Sequence, residues 1–315
     1  MAQEKLSIIV PVCNEGGSIP ALYRSLTAVC RENGYDYEII FVDDGSADGT
    51  LDLLKELRRN DPLCRYLSLK RNFGQSAALA AGFDAAKGAY LATLDGDGQN
   101  DPADIPRLLE KCREGFDLVN GWRRRRRDPF FSRRLPSFFA NLLIRRLTGV
   151  KIHDTGCTLK VFRKDVLEGL HLYGENHRFI PALLHWAGAR ITETEVGHFP
   201  RKHGRSKYTF SRLPRVILDL VNIKFLISYS TRPIQIFGKM GFYSLFTGLL
   251  SLLALIYMKI SWGVDMTGNP FLMLTVLLCF LGVQFITMGL LGEINIRIYH
   301  ESTRRKIYSI AERSD

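Results

Sequence analysis

Residues 37–54 read YEIIFVDDGSADGTLDLL. Residues 37–42 are almost continuously apolar and rich in β-branched or aromatic side chains, without the polar alternation of a half-exposed strand. Such a run is typical of a strand covered on both faces. Asp43-Asp44-Gly45-Ser46 then marks a turn, and Asp48 or Ser46 can cap the helix that follows at about 48–60. A buried strand, an acidic turn and a helix make up the first part of a βαβ unit.

The same unit recurs on both sides. Strand patterns occupy 6–12, 63–69, 90–94 and 117–119, and helical patterns lie at about 18–33, 75–87 and 102–114. Asp101-Pro102 starts the last of these helices, with proline in its first turn. Strands alternating with helices of this length predict an α/β fold with a mostly parallel, Rossmann-like sheet. Ligands of such sheets bind beyond the carboxyl ends of the strands. That rule gathers residues 11–15, 43–46, 70–74 and 95–99 into one crevice.

Composition then divides the chain. Of 315 residues, 43 are Lys or Arg and 32 are Asp or Glu, a net charge of +11. The first 120 residues carry 13 basic and 19 acidic side chains, a net of −6, so the other 195 carry +17. Apolar residues make up 46% of the chain, which excludes a disordered polyelectrolyte. The six cysteines form no C-x-x-C pair and the seven histidines no metal spacing, so the thiols read as reduced and structural. The N-terminal apolar run is too short for a secretory leader.

Beyond residue 120 the chain turns basic. Residues 121–151 hold ten Lys or Arg against one acid, and Arg124–Arg127 read mainly as a solvated face. One more strand is expected at 191–199, followed by a basic loop at 200–208 and an amphipathic, interfacial helical segment at 209–232. Two charge-free stretches follow, 240–258 and 266–292. Each supplies the roughly 20 apolar residues that cross a hydrocarbon core. They predict a transmembrane hairpin within 233–296, spanning about 237–259 and 270–292, after an α/β domain at 1–208 and before a tail at 297–315. Arg232, Lys239, Arg297, Arg304, Arg305 and Lys306 flank one side and Lys259 the other. By the positive-inside rule, the α/β domain and both termini are expected in the cytoplasm, on the inner membrane.

The sharpest chemical signal is Asp95-Gly96-Asp97-Gly98-Gln99, directly after a strand. Two carboxylates two residues apart, relieved by glycines, can approach one Mg²⁺ or Mn²⁺, a hard cation that also takes substrate phosphates. Neither a P-loop nor the dinucleotide G-x-G-x-x-G is present.

Taken in order, SIIVPVCNE, VDDGSADGT, KRNFGQSAAL and LDGDGQNDP resemble the nucleotide-sugar domain of family-two inverting glycosyltransferases, of GT-A fold. The later blocks GWRR, SRRLPSFFANLLIRRLTG, HDTGCTLKVFRKDV and RKHGRSKY are similar to its polyprenyl-phosphate branch, which includes dolichol-phosphate mannosyltransferases and bactoprenol glucosyltransferases. The resemblance implies that Pro11, Asn14, Glu15, Asp43 and Asp44 line the nucleotide. It implies that Asp95, Asp97 and Gln99 hold the metal and the donor diphosphate. Arg123, Arg133, Ser137 and Arg201 are implied around the phosphates of donor and acceptor. Asp154 is implied near the acceptor as a base. From the residues alone it has two other readings, orienting an arginine or taking a proton from the minor phosphate monoanion, because a phosphomonoester is largely dianionic at neutral pH.

The expected reaction moves one sugar from a nucleotide sugar to undecaprenyl phosphate, with inversion at the anomeric carbon. UDP-glucose is the first donor and GDP-mannose or a modified UDP-sugar the alternative. The two-span form implies a homo-oligomer. Rival readings are a processive synthase, which the missing Q-x-x-R-W block opposes, a non-catalytic basic membrane-surface module, and a nucleic-acid binder using Arg123–Arg127. The hairpin leaves the last without a purpose, so no nucleic-acid partner is expected.

Overall fold

In the computed structural model of the chain, the described residues are 4–124, 145, 146, 148–170, 172, 176–200, 234–302 and 310–313. They fall into two compact units, Met1–Leu220 with Lys306–Asp315, and Val221–Arg305. The amphipathic segment expected at 209–232 lies outside the described residues.

The first unit follows the expected alternation. Its elements are β1 (Leu6–Val12), α1 (Ile19–Glu32), β2 (Tyr37–Asp43), α2 (Thr50–Asn60), β3 (Cys64–Leu69), α3 (Gln75–Ala85), β4 (Tyr90–Thr93), α4 (Ile105–Arg113), β5 (Leu118–Trp122), β6 (Lys160–Arg163), α5 (Ile180–Trp186), β7 (Ile191–Glu195) and β8 (Ile310–Arg313). The strands form one sheet in the order β7-β5-β6-β4-β1-β2-β3-β8. β1 runs parallel to β2 and β4, β2 to β3, and β5 to β7. The two antiparallel strands are β6, between β4 and β5, and β8, on the edge beside β3. Neither is among the strands the sequence pattern predicts. Lys-Val-Phe-Arg and Ile-Ala-Glu-Arg are four-residue segments with two charged residues each, too short to show a periodicity.

Successive strand residues feed opposite faces, as a pleated sheet requires. Ile8 and Val10 join Leu22, Leu26, Leu54 and Leu108 in one core layer, while Ile9, Ile40 and Val42 join Ala78, Ala81 and Leu184 in the other. α3 is built from small residues and lies tight on the sheet. A Cβ on Gly82 would stand 2.4 Å from Ile9 Cγ2. Cys30, Cys64, Cys112 and Cys157 are buried free thiols, and burial pushes the first three up to about 12.

The amino edge of the sheet is tied by a buried carboxylate. Glu38 accepts from Ser7 Oγ at 2.7 Å, from the Lys87 N–H at 2.7 Å and from Arg65 Nη1 at 2.6 Å. These bonds outweigh the burial that would otherwise favour its protonation, and its pKa lies below the usual glutamate value.

In the second unit, α6 (Ile234–Trp262) and α7 (Pro270–Ser302) pack against each other. They contain candidate membrane spans, Gln235–Trp262 and Pro270–Gly292, with mean hydropathies of 1.7 and 2.3. Their contact is made by small and hydroxylated residues. A Cβ on Gly241 would stand 2.7 Å from Ile286 Cγ1 and one on Gly282 2.6 Å from Leu245 Cγ. Ser244 Oγ donates to the Leu278 carbonyl at 2.8 Å and Ser251 Oγ to the Phe271 carbonyl at 3.1 Å. Phe242, Tyr243, Phe246, Met273 and Phe280 point outward. Small residues inside and large apolar residues outside is the arrangement of helices packed in lipid.

Glu38→Ala leaves the Arg65 guanidinium, only 16% exposed, without its partner. Removing one member of a buried pair costs about 3–5 kcal/mol. Urea unfolding of the purified chain is expected to show that loss, with a smaller one for Glu38→Gln, which keeps an acceptor for Ser7 and Lys87.

Candidate active site

Six strands end at the carboxyl edge and antiparallel β6 begins there, so their loops converge. On the β1–β2 side, Asn14 adopts a left-handed backbone (φ 58°). Its N–H donates to Ser46 Oγ at 2.9 Å, and its Oδ1 accepts from the Ala47 N–H at 2.8 Å. Asp44 accepts from the N–H groups of Phe73 and Gly74, at 2.7 and 2.9 Å, just before α3. Asp43 accepts from the Ser46 N–H at 3.2 Å and from Ser68 Oγ at 3.3 Å. Both aspartates are buried, and each holds a loop of the edge. Pro11 and Glu15 are half-buried and Asn14 is exposed. Gly45 (φ +66°) admits no side chain, because a Cβ there would stand 2.5 Å from the Arg71 carbonyl carbon.

The Asp95–Gln99 loop adjoins this wall. Ser18 Oγ lies 2.6 Å from the Gly96 carbonyl oxygen and 2.9 Å from that of Glu15. A Cβ on Gly96 would stand 2.6 Å from Val12 Cγ1, so only glycine lets the loop approach β1. Residues 11–15, 43–46, 70–74 and 95–99 therefore form one continuous set of loops.

Asp95 and Asp97 both belong to it. Asp95 Oδ1 accepts from Gln75 Nε2 at 2.7 Å, and Asp97 Oδ1 from the Gln99 N–H at 3.0 Å. Burial, together with the neighbouring Asp97 charge, pushes Asp95 up to about 6. A buried carboxylate whose charge is opposed by a second carboxylate fits a divalent cation, a hard ion that takes oxygen donors. Among the described residues no group of three or more His, Cys, Asp or Glu could hold a metal ion.

Across β6 lies a second charge cluster. Arg123 Nε donates to Asp154 Oδ2 at 2.8 Å and Arg123 Nη2 to Asp154 Oδ1 at 3.0 Å, a bidentate pair. Asp154 is 3% exposed. Burial works against the Arg123 charge, but Asp154 outweighs it and holds the guanidinium above the usual arginine value. Asn120 Nδ2 donates to the Asp154 carbonyl at 2.8 Å, fixing the same turn from β5. Next to it the Trp122 and His153 rings stack with centroids 4.6 Å apart, and Glu193 accepts from both the His153 N–H and its ring. Arg124 is exposed and paired with Glu195 at 2.6 Å.

Three features of this edge are absent from the motif reading. Lys160, the first residue of β6, is buried and donates to the carbonyls of Thr155 (3.4 Å) and Cys157. Gln75 holds Asp95. His177 is buried against Ser76 Oγ at 3.0 Å, and burial pushes it down to about 3. Of the expected phosphate-binding residues, Arg133, Ser137 and Arg201 lie outside the described residues. The chain just before Arg201 runs beside the Asp95–Gln99 loop, with the Phe199 N–H donating to the Gln99 carbonyl at 2.9 Å.

Comparison with known proteins gives this geometry a context. Residues 7–170 match the model of the family Glycosyl transferase family 2. The chain is 43% identical to dodecaprenyl-phosphate galacturonate synthase of Rhizobium johnstonii, covering 98% of this chain and 92% of that protein. It is 40% identical to undecaprenyl-phosphate 4-deoxy-4-formamido-L-arabinose transferase of Pseudomonas fluorescens, over 97% of this chain and 88% of that protein. Among solved structures, glucosyl-3-phosphoglycerate synthase of Mycobacterium tuberculosis, determined with Mn²⁺, uridine diphosphate and glucosyl-3-phosphoglycerate, shares the fold. It has a TM-score of 0.56 at 19% identity and covers 73% of this chain and 83% of its own.

Asp154→Ala strands the Arg123 guanidinium, which is 14% exposed, and is expected to cost about 3–5 kcal/mol of unfolding free energy. Arg123→Met alone strands the carboxylate instead. The double variant should recover most of either loss in a double-mutant cycle; additive losses would contradict direct coupling.

Proposed function

Because the chain belongs to glycosyl transferase family 2, we propose that it moves one sugar from a nucleoside diphosphate donor to a polyprenyl phosphate in a membrane. The observation that carries this reading is the likeness, along nearly the whole chain, to two transferases whose names specify polyprenyl-phosphate acceptors. The two candidate spans supply a lipid-facing part suited to such an acceptor. Both relatives' names specify modified sugars, galacturonate and 4-deoxy-4-formamido-L-arabinose. The donor reading therefore moves from UDP-glucose to a modified UDP-sugar, with UDP-galacturonate first and UDP-4-deoxy-4-formamido-L-arabinose second.

In the proposed reaction a phosphate oxygen of the lipid attacks the anomeric carbon. The bond to the diphosphate breaks on the opposite side, its electron pair leaves with the diphosphate, and the configuration inverts. The first wall, with Pro11, Asn14 and Glu15, takes the nucleoside, and Asp43 and Asp44 fix its shape. Asp95, Asp97 and Gln99 are the residues that would hold Mg²⁺ or Mn²⁺, which supplies positive charge for the departing diphosphate. Arg123 presents Nη1 to a phosphate while Asp154 engages its Nε and Nη2. Asp154 then acts through Arg123 as a positioning residue, because a phosphomonoester is already largely ionised at neutral pH. Arg133, Ser137 and Arg201 complete the phosphate site in this reading. The flanking charges of the hairpin support a cytoplasmic position of the catalytic unit and both termini, on the inner membrane, and in this reading the two-span form assembles as a homo-oligomer.

Purified full-length protein in detergent, given undecaprenyl phosphate, Mn²⁺ or Mg²⁺ and a panel of UDP-galacturonate, UDP-4-deoxy-4-formamido-L-arabinose, UDP-glucose and GDP-mannose, tests this. Mass spectrometry should find one glycolipid, from a modified UDP-sugar; no product with any donor overturns the reading. Asp97→Ala should abolish transfer. Loss of a general base typically costs about 10²–10⁴-fold. Asp154→Asn, which keeps one acceptor for Arg123, should cost less than that and leave the pH–rate profile in place.

A further inference from the structure

Lys160 is a lysine in the wrong place for a surface residue. It is 3% exposed, at the start of β6, opposite Thr93 of β4 on one side and Asn120 of β5 on the other. Two residues beyond Thr93 lies Asp95, and three beyond Asn120 lies Arg123. The ammonium donates to the carbonyls of Thr155 and Cys157, neutral acceptors in the turn that follows Asp154. Burial holds its pKa below the usual lysine value; the neighbouring Arg123 charge adds to that effect, while Cys157, Asp154 and Asp95 oppose it. Burying an ammonium costs several kcal/mol unless the surroundings compensate it. Leucine or methionine would fill a central strand without that cost. The Thr155 and Cys157 carbonyls and the Asp154 and Asp95 carboxylates offset part of that cost.

We propose that Lys160 is a positioning residue that serves as the fixed counter-charge of the site, standing between the Asp95–Asp97 pair and the Arg123–Asp154 pair. In this role it does two things. It ties the 155–157 turn to the sheet, which holds Asp154 against Arg123. It also offsets part of the negative field of Asp95 and Asp97, so the carboxylates alone hold a divalent cation weakly and a bound diphosphate supplies the missing negative charge. Cation capture is thereby coupled to donor binding, and release of the spent diphosphate loosens the cation. This inference rests on the proposed use of Asp95 and Asp97 for a metal and of the site for a nucleoside diphosphate.

The charge argument has a sign that a packing role lacks. Removing a cation near the metal carboxylates should tighten divalent-metal binding and weaken nucleotide binding, whereas loosening of the fold weakens both. Lys160→Met replaces the side chain with an apolar one of similar length. Lys160→Gln keeps an N–H donor for the carbonyls, removes the charge, and serves as the second variant should the first not fold. Mn²⁺ binding is read by electron paramagnetic resonance on the purified full-length protein without nucleotide, and UDP binding by calorimetry at saturating Mn²⁺. In both variants Mn²⁺ should bind about tenfold tighter, as expected for a unit charge removed from a shielded site, and UDP more weakly. kcat should fall more in Lys160→Met than in Lys160→Gln. Unchanged or weaker Mn²⁺ binding in either variant, with the wild type binding normally, overturns this inference alone. A wild type that binds no Mn²⁺ with or without UDP overturns the metal reading and this inference together.

Discussion

An antiparallel strand hydrogen-bonded between two parallel neighbours sets the geometry of the carboxyl edge. β6 pairs with β4 through Tyr90–Thr93 and with β5 through Leu118–Asn120. Because it runs the other way, its first residue, not its last, stands at the edge where its neighbours end. The preceding turn is thereby delivered between Asp95 and Arg123. Without β6, β4 and β5 would be adjacent, and the two charge clusters would face each other directly. With it, a buried lysine and a buried aspartate occupy the gap, each with a defined partner.

The five aspartates of the edge do different work, and burial sorts them. Asp43 and Asp44 accept hydrogen bonds from loop N–H groups and a serine, so their charge is spent on shaping the wall. Asp154 is spent on Arg123. Asp95, buried and beside the Asp97 charge, has a strongly raised pKa. A buried carboxylate whose ionisation is opposed by a second carboxylate beside it has free energy to gain from a cation.

This division bounds what is legible in the sequence. The β1–β4 framework is legible because strands buried on both faces are largely apolar, and YEIIFV, Glu38 apart, is. The crevice is legible because parallel strands end together. β6 is not, since Lys-Val-Phe-Arg looks like any polar connection until both of its neighbours are known. For the same reason Lys160 cannot be told from the other basic residues of the C-terminal half, and Gln75 cannot be seen as a partner of Asp95, twenty residues away. The aspartates of DDGS and DGDG are equally acidic on paper. Only the N–H groups of Phe73 and Gly74, which come from a different loop, show that Asp44 also ties two loops of the edge together.

The charge asymmetry of the chain acquires a physical meaning from the same reasoning. A net of −6 in the first 120 residues and +17 in the rest would, if spread evenly, describe two surfaces of opposite sign. At the edge the two populations are interleaved. Asp95 and Asp97 come from the acidic part, and Arg123, Asp154 and Lys160 from the basic part, with β6 threading the second set into the first. Two acceptor-rich carboxylates beside a donor-rich arginine and lysine make a site that is neither an anion hole nor a bare cation trap. On the proposed reading, such a site would favour a ligand that carries both signs at once, a divalent cation bound to a diphosphate, over either ion alone.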